Sequence, residues 1–146
     1  MPAAIAPLLI ALASFVLRLM NLGSTKGYIF DEVYYVDGAR DLLKYGVEVT
    51  GTNPEFIVHP PVGKWLIAAG IAIFGDNEFG WRFATALIGT ILILVFARLV
   101  HVLFYSPLLT GLGAALMALD GLLLVHSRTA LLDLFLTFFE IGRAHV

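Results

Sequence analysis

Between Phe79 and Tyr105 the only charged side chains are Arg82 and Arg98. A helix of about 20 apolar residues, rising about 1.5 Å per residue, is long enough to cross a bilayer's hydrocarbon core. This run exceeds that length, so it is expected to span a membrane over about 79–105. Two more runs are nearly as apolar. Ile5 to Met20 is interrupted by Ser14 and Arg18, and Leu108 to Val125 carries Asp120. Ala130 to Phe139 opens a fourth run with Asp133 inside it. The expected spans are therefore about 4–22, 79–105, 108–125 and 130–140. Charged residues make up 14% of the chain, against about 25% in soluble domains. The expected class is all-α and polytopic, in a cell membrane. A net charge of −2 gives no reason to expect a nucleic-acid partner, and with no cysteine there are no disulfides or thiolate metal sites.

Residues 23–78 are different. They form a large first loop, expected on the external face, that holds most of the polar chemistry. Asp31 to Tyr45 reads as an amphipathic helix. Asp37, Arg40, Asp41 and Lys44 share one face, and Tyr35, Ala39, Leu42 and Leu43 share another. Gly46 is its expected stop. Val47 to Val58 is expected to be a loop turning at Thr50-Gly51-Thr52-Asn53-Pro54. Pro60-Pro61 then stiffens the entry to a short apolar helix ending at Gly75-Asp76-Asn77, with Pro61 suited to its first position. Both helices are expected to lie in the membrane interface.

Asp31 and Glu32 are adjacent carboxylates where a membrane helix meets water. Placing them there is costly unless they have partners or a task. One reading is a cap at the start of a helix; the other is catalysis, and the two are compatible. Whichever side the first loop faces, Asp31, Glu32, His59, Lys64, Arg82, His126, Arg128 and Asp133 are expected to collect at the same membrane face. Arg18, near the end of the first run, is either a snorkelling anchor or a cation close to the acidic pair. Asp133 lies where it could pair with Arg128. Asp120 is expected to be buried in the third span. The histidines and acids do not form a diagnostic metal set, so no metal ligand is assigned and a divalent metal stays open.

Five segments in order carry a resemblance. They are Phe30-Asp31-Glu32-Val33-Tyr34-Tyr35, Val58-His59-Pro60-Pro61-Val62-Gly63-Lys64, Gly80-Trp81-Arg82-Phe83, Leu119-Asp120-Gly121, and Ser127-Arg128 with Leu132-Asp133. Together they resemble the protein O-mannosyltransferases of the GT-C superfamily, in their bacterial, actinobacterial-type form. The resemblance implies that 1–140 is the N-terminal part of a transmembrane catalytic domain, and 141–146 is expected to be a non-native tail. It implies transfer of mannose, with inversion, from polyprenyl-phosphate-mannose to Ser or Thr hydroxyls of a secreted or translocating protein. No cofactor is required, the active site is extracytoplasmic, and membrane lipid surrounds the enzyme. Asp31 would be the catalytic base and Glu32 would assist it. Lys64, Arg82 and Arg128 would hold the donor phosphate, with His59, Arg18 and Asp133 in support. Another GT-C transferase, such as one for lipid-linked aminoarabinose, is the competing enzyme. A non-catalytic membrane subunit or transporter segment is the competing class.

Overall fold

The computed structural model describes residues 4–54 and 59–143. Its elements are α1 (Ile5–Leu19), α2 (Glu32–Tyr45), β1 (Val49–Thr50), β2 (Asn53–Pro54), α3 (Pro61–Phe74), α4 (Glu78–Phe104), α5 (Pro107–Leu119), α6 (Gly121–His126) and α7 (Asp133–Arg143). The two strands pair antiparallel as a minimal hairpin, Val49 opposite Pro54. Among the described residues, α4 alone is long and apolar enough to cross a membrane. Its 27 residues reach about 40 Å at ~1.5 Å each. α1, α3 and α5 are shorter apolar helices.

α4 is the axis. It packs against α3, α1, α5, α6 and α7. At its first turns it meets α2, α3 and the link before α7, through a core of Tyr35, Val36, Ile67, Ile71, Trp81 and Phe135. Further along, Ile93 and Ala97 meet Ala11 of α1 and Ala114 of α5. On a third side, Leu92 meets Leu123 and Leu134. α3 folds back along α4 as a tight helical hairpin. A β-carbon on Gly70 would strike the Gly80 carbonyl, and one on Gly80 would strike the Gly75 carbonyl. Only hydrogen at both positions lets the two backbones approach this closely.

Several boundaries follow local chemistry. Asn77 caps α4 by accepting from the Phe79 and Gly80 amides, both 3.1 Å. Gly46, at φ 77°, ends α2 as expected. The expected span 108–125 is divided. Asp120 is exposed, and its Oδ1 accepts from the Leu123 amide at 2.7 Å, which starts α6 as a separate short helix. A short acceptor just before an amide-rich turn stabilises a new helix start better than it tolerates a helix interior. The expected buried Asp120 is therefore an exposed cap. α7 begins at Asp133, three residues after the expected 130, and runs on through Arg143. Ile141 packs against the Leu92–Leu123–Leu134 cluster, so the helix continues past the expected end at 140. The last three residues of the expected tail, 144–146, lie outside the described residues, as does Val58 of the diproline segment. On α2 the buried face is Glu32, Tyr35, Val36 and Ala39, whereas Leu43 is exposed, contrary to the expected pattern.

Arg40 ties the outer face of α2 to the turn between α3 and α4. Its Nε and Nη2 donate to the two Asp76 oxygens at 2.8 and 2.9 Å, and its Nη1 donates to the Tyr28 hydroxyl and Asp37. Trp81 Nε1 also donates to Asp76, at 2.6 Å, while its ring stacks on Tyr28. These bonds hold the Asp76 carboxyl below the usual carboxylate range, with Arg40 as the main cause.

Candidate functional site

Adjacent positions on a helix point about 100° apart, so Asp31 and Glu32 face different surroundings. Phe30, just before them, sits at φ 54°. A bulky residue in this region costs roughly 1 to 3 kcal/mol, which the surrounding structure has to hold in place. The turn it makes lets the chain enter α2 with Glu32 directed inward.

Glu32 is fully buried. Its Oε1 accepts from Arg82 Nε at 2.8 Å and from the Ala130 amide at 2.7 Å. Its Oε2 accepts from Arg82 Nη2 and from the Ile29 amide, each at 2.8 Å. Arg82 is equally enclosed. Its Nη1 donates to the Leu22 and Thr25 carbonyls and its Nη2 to the Gly27 carbonyl. A guanidinium has five N–H groups, and all five of Arg82 are engaged within the chain. One bidentate ion pair thus joins α2, α4, the 22–27 turn and the link before α7.

The other expected phosphate ligands are also engaged. Arg128 donates to the Leu17, Arg18 and Met20 carbonyls at 2.8, 3.0 and 2.8 Å. It caps the carbonyl-rich, electronegative end of α1. Arg18 is fully buried, donating from Nε to Ser127 Oγ at 2.8 Å and from Nη1 to Ser14 Oγ. It is therefore no snorkelling anchor. Its Nη2 is buried without a hydrogen-bond partner. Asp133 forms no ion pair with Arg128, whose bonds go to α1 instead.

Asp31 faces a cleft instead. It is half-buried and lines a cleft of about 680 Å³ with Tyr35, Arg40, Glu48, His59 and Lys64. Lys64 is buried in the first turn of α3 and donates to Glu48 Oε2. The Tyr35 phenol is pushed above its ordinary value, first by burial, then by the charges of Asp31 and Asp133 and by its hydrogen bond with Asp31. His59 stands edge-on to the Tyr35 ring, centroids 5.4 Å apart. Tyr35 and His59 also line an apolar groove of about 250 Å³ with Val62, Leu132, Asp133, Phe135 and Phe139. A polar cleft and an apolar groove therefore share two residues. Asp133 also lines a third depression with Asp120 and His126. Phe30 and Tyr34 are exposed beside the cleft. Among the described residues no group of three or more His, Asp or Glu is placed to hold a metal.

Asp31, Lys64, His59 and Asp133 thus meet around Tyr35, while Glu32, Arg82, Arg128 and Arg18 lie in the supporting structure. Sequence reasoning missed Glu48 and the linking part of Tyr35. For Glu48 the only local signal is a charged residue between Val47 and Val49, which by itself marks an edge strand as readily as a site.

The pattern that defines the dolichyl-phosphate-mannose-protein mannosyltransferase family matches residues 58–142. The chain belongs to that family. It is 47% identical over 140 residues to a polyprenol-phosphate-mannose–protein mannosyltransferase of Mycobacterium tuberculosis, covering 92% of this chain and 26% of that protein. A protein of the same name from Mycolicibacterium smegmatis is 41% identical over 145 residues, covering 95% of this chain and 27% of the relative. The chain spans about a quarter of the length of these curated relatives. An undecaprenyl phosphate-alpha-4-amino-4-deoxy-L-arabinose arabinosyl transferase of Pseudomonas fluorescens is 41% identical over 71 residues, 47% of this chain and 13% of that protein. No solved structure matches. Family membership and the apolar α4 make this a membrane protein.

Proposed function

We propose that this chain supplies the catalytic cleft of a multi-pass membrane enzyme that moves mannose from polyprenyl-phosphate-mannose to Ser or Thr hydroxyls of secreted or translocating proteins. The cleft faces the extracytoplasmic side, and α1, α4 and the α5–α6 pair cross the membrane with the help of their neighbours. The observation that carries the reading is the junction at Tyr35 and His59. There the polar cleft of Asp31 adjoins an apolar groove through two shared residues, a pairing that suits a sugar phosphate on an isoprenoid chain.

Asp31 accepts the proton of the acceptor hydroxyl as its oxygen attacks the anomeric carbon. The bond from that carbon to the phosphate oxygen breaks, its electron pair leaves with the phosphate, and the configuration inverts. The phosphate departs as a stable anion and needs no general acid. It needs a cation close to the charge that develops on it. Lys64 has three N–H groups, of which Glu48 takes one, and His59 lines the same cleft and also the apolar groove. Arg82 and Arg128 are reassigned as positioning residues. Arg82 holds Glu32, and so the first turn of α2 beside Asp31; Arg128 holds the end of α1. On this reading no metal is required, so excess EDTA should leave the rate unchanged; a loss of rate restored by a divalent cation would show that one is.

The deciding experiment is Asp31→Asn in the full-length protein that contains this chain. Transfer to a Ser/Thr peptide falls by about 10²- to 10⁴-fold while the protein inserts and folds as before. Transfer at the parent rate would overturn the assignment, and it would leave the non-catalytic subunit as the better reading. The partial likeness to an arabinosyl transferase favours a lipid-linked aminoarabinose donor as the second reading. Offering the two donors side by side separates them.

A further inference from the structure

The end of α2 and the segment after it are exposed from Leu43 through Val47, and then Glu48 turns inward to only 5% exposure. A loop that buries one side chain ordinarily buries an apolar one. This one buries a carboxylate beside a lysine, in the wall of the cleft that holds Asp31. The room is made by Gly38 on α2. A β-carbon there would lie 2.9 Å from Glu48 Oε2 and 3.1 Å from Lys64 Cδ. Asp41 Oδ2 accepts from the Val49 amide at 3.1 Å, which fixes the loop where Glu48 enters.

Only half of the carboxylate is used. Oε2 accepts from Lys64, and Oε1 is buried with no hydrogen-bond partner. A buried carboxylate oxygen without a donor is uncommon and calls for one. The charge of the cleft says which kind. Its carboxylates Asp31, Asp37, Asp41 and Glu48 outweigh the cations Arg40 and Lys64. A wall rich in acceptors suits a ligand that brings hydroxyl donors, and leaves Lys64 and His59 to meet a phosphate.

Resting on the mannosyl-transfer reading above, we propose that Glu48 is a sugar-recognition residue whose Oε1 accepts a hydrogen bond from one hydroxyl of the transferred glycosyl group. The sugar then lies against the Glu48 wall with its anomeric carbon toward Asp31. The phosphate lies toward Lys64 and His59, at the mouth of the apolar groove. Glu48 contributes specificity for the sugar, and Lys64 serves both ends of the donor.

The test uses the full-length enzyme and a series of polyprenyl-phosphate-mannose donors, each with one sugar hydroxyl replaced by hydrogen. The parent enzyme should lose about 10- to 100-fold in kcat/KM with one of these donors, the size expected for a bond to a charged group. In Glu48→Gln, which keeps the shape of the side chain, that penalty should shrink to within about threefold while the other deoxy donors behave as before. A variant that loses the same factor with every donor, or a parent enzyme indifferent to all deoxy donors, overturns the proposal. If Glu48→Gln does not fold, Glu48→Asp, which withdraws the carboxylate by one methylene, should shrink the same single penalty. A parent enzyme that rejects the mannosyl donor and accepts the aminoarabinose donor instead would sink the underlying reading. The deoxy series is then repeated on that sugar.

Discussion

Asp31 and Glu32 are neighbours in the chain and belong to two regions of opposite character. Around Glu32 everything is closed. Both oxygens accept two hydrogen bonds, Arg82 has all five of its donors engaged, and neither residue meets solvent. Around Asp31 the chain is open. The side chain is half-buried in a cleft it shares with Tyr35, and the lysine in the same wall keeps unused donors. A group whose bonding capacity is filled can position others but has nothing left to offer a ligand. That difference, more than net charge or distance from the membrane, separates the basic residues that hold this fold from those that can meet a substrate.

The comparison breaks most sharply if the two acids are exchanged in effect. Asp31→Asn is expected to reduce the rate by orders of magnitude and leave the thermal midpoint in detergent unmoved. Glu32→Gln should do the reverse in emphasis, costing about 3–5 kcal/mol of stability because Arg82 is left buried and uncompensated. Unfolding in denaturant checks this, and the paired variant Glu32→Leu with Arg82→Met should recover much of the loss. A Glu32→Gln protein as stable as its parent would dissolve the distinction. Next in size is Arg128→Ala, which takes a donor from three carbonyls at the end of α1, those of Leu17, Arg18 and Met20. The expected loss is about 1–3 kcal/mol, with KM for donor and acceptor changed by the same factor. A rise in donor KM alone would return Arg128 to the phosphate site.

The smallest effect sharpens the contrast at the surface. Asp76→Asn removes the pair with Arg40, whose partners are 47% and 31% exposed, so screening limits the expected loss to about 0.2–1 kcal/mol. The pH dependence has a definite sign. The Asp76 pKa is lowered on folding, so its contribution is fully present above the ordinary carboxylate value and fades as pH falls through the lower, folded value. Parent and variant should therefore converge in stability below about pH 4, the range of an unperturbed Asp. A difference that persists into stronger acid would show that the Arg40 cluster works through packing instead of charge.

What the sequence determined by itself was the broad frame. The run through α4, the stops at Gly46 and Asn77, and the start at Pro61 depend on hydropathy, on a missing amide or on a glycine's tolerance of positive φ, all of which are local properties. The ordered motifs likewise revealed the family. The division at Asp120 was harder to foresee, because an aspartate in an apolar run reads equally as a buried polar residue or a cap, and only the neighbouring amides decide. The roles of the basic residues were not legible at all. Arg82, Arg128 and Lys64 are equivalent as letters in a motif, since each is a long cation near a membrane face. Their difference arises from partners 16 to 111 positions away, Glu48 for Lys64 and the last carbonyls of α1 for Arg128. Hydrogen-bond capacity is filled by whatever the fold brings within about 3 Å, and that is settled by tertiary packing alone.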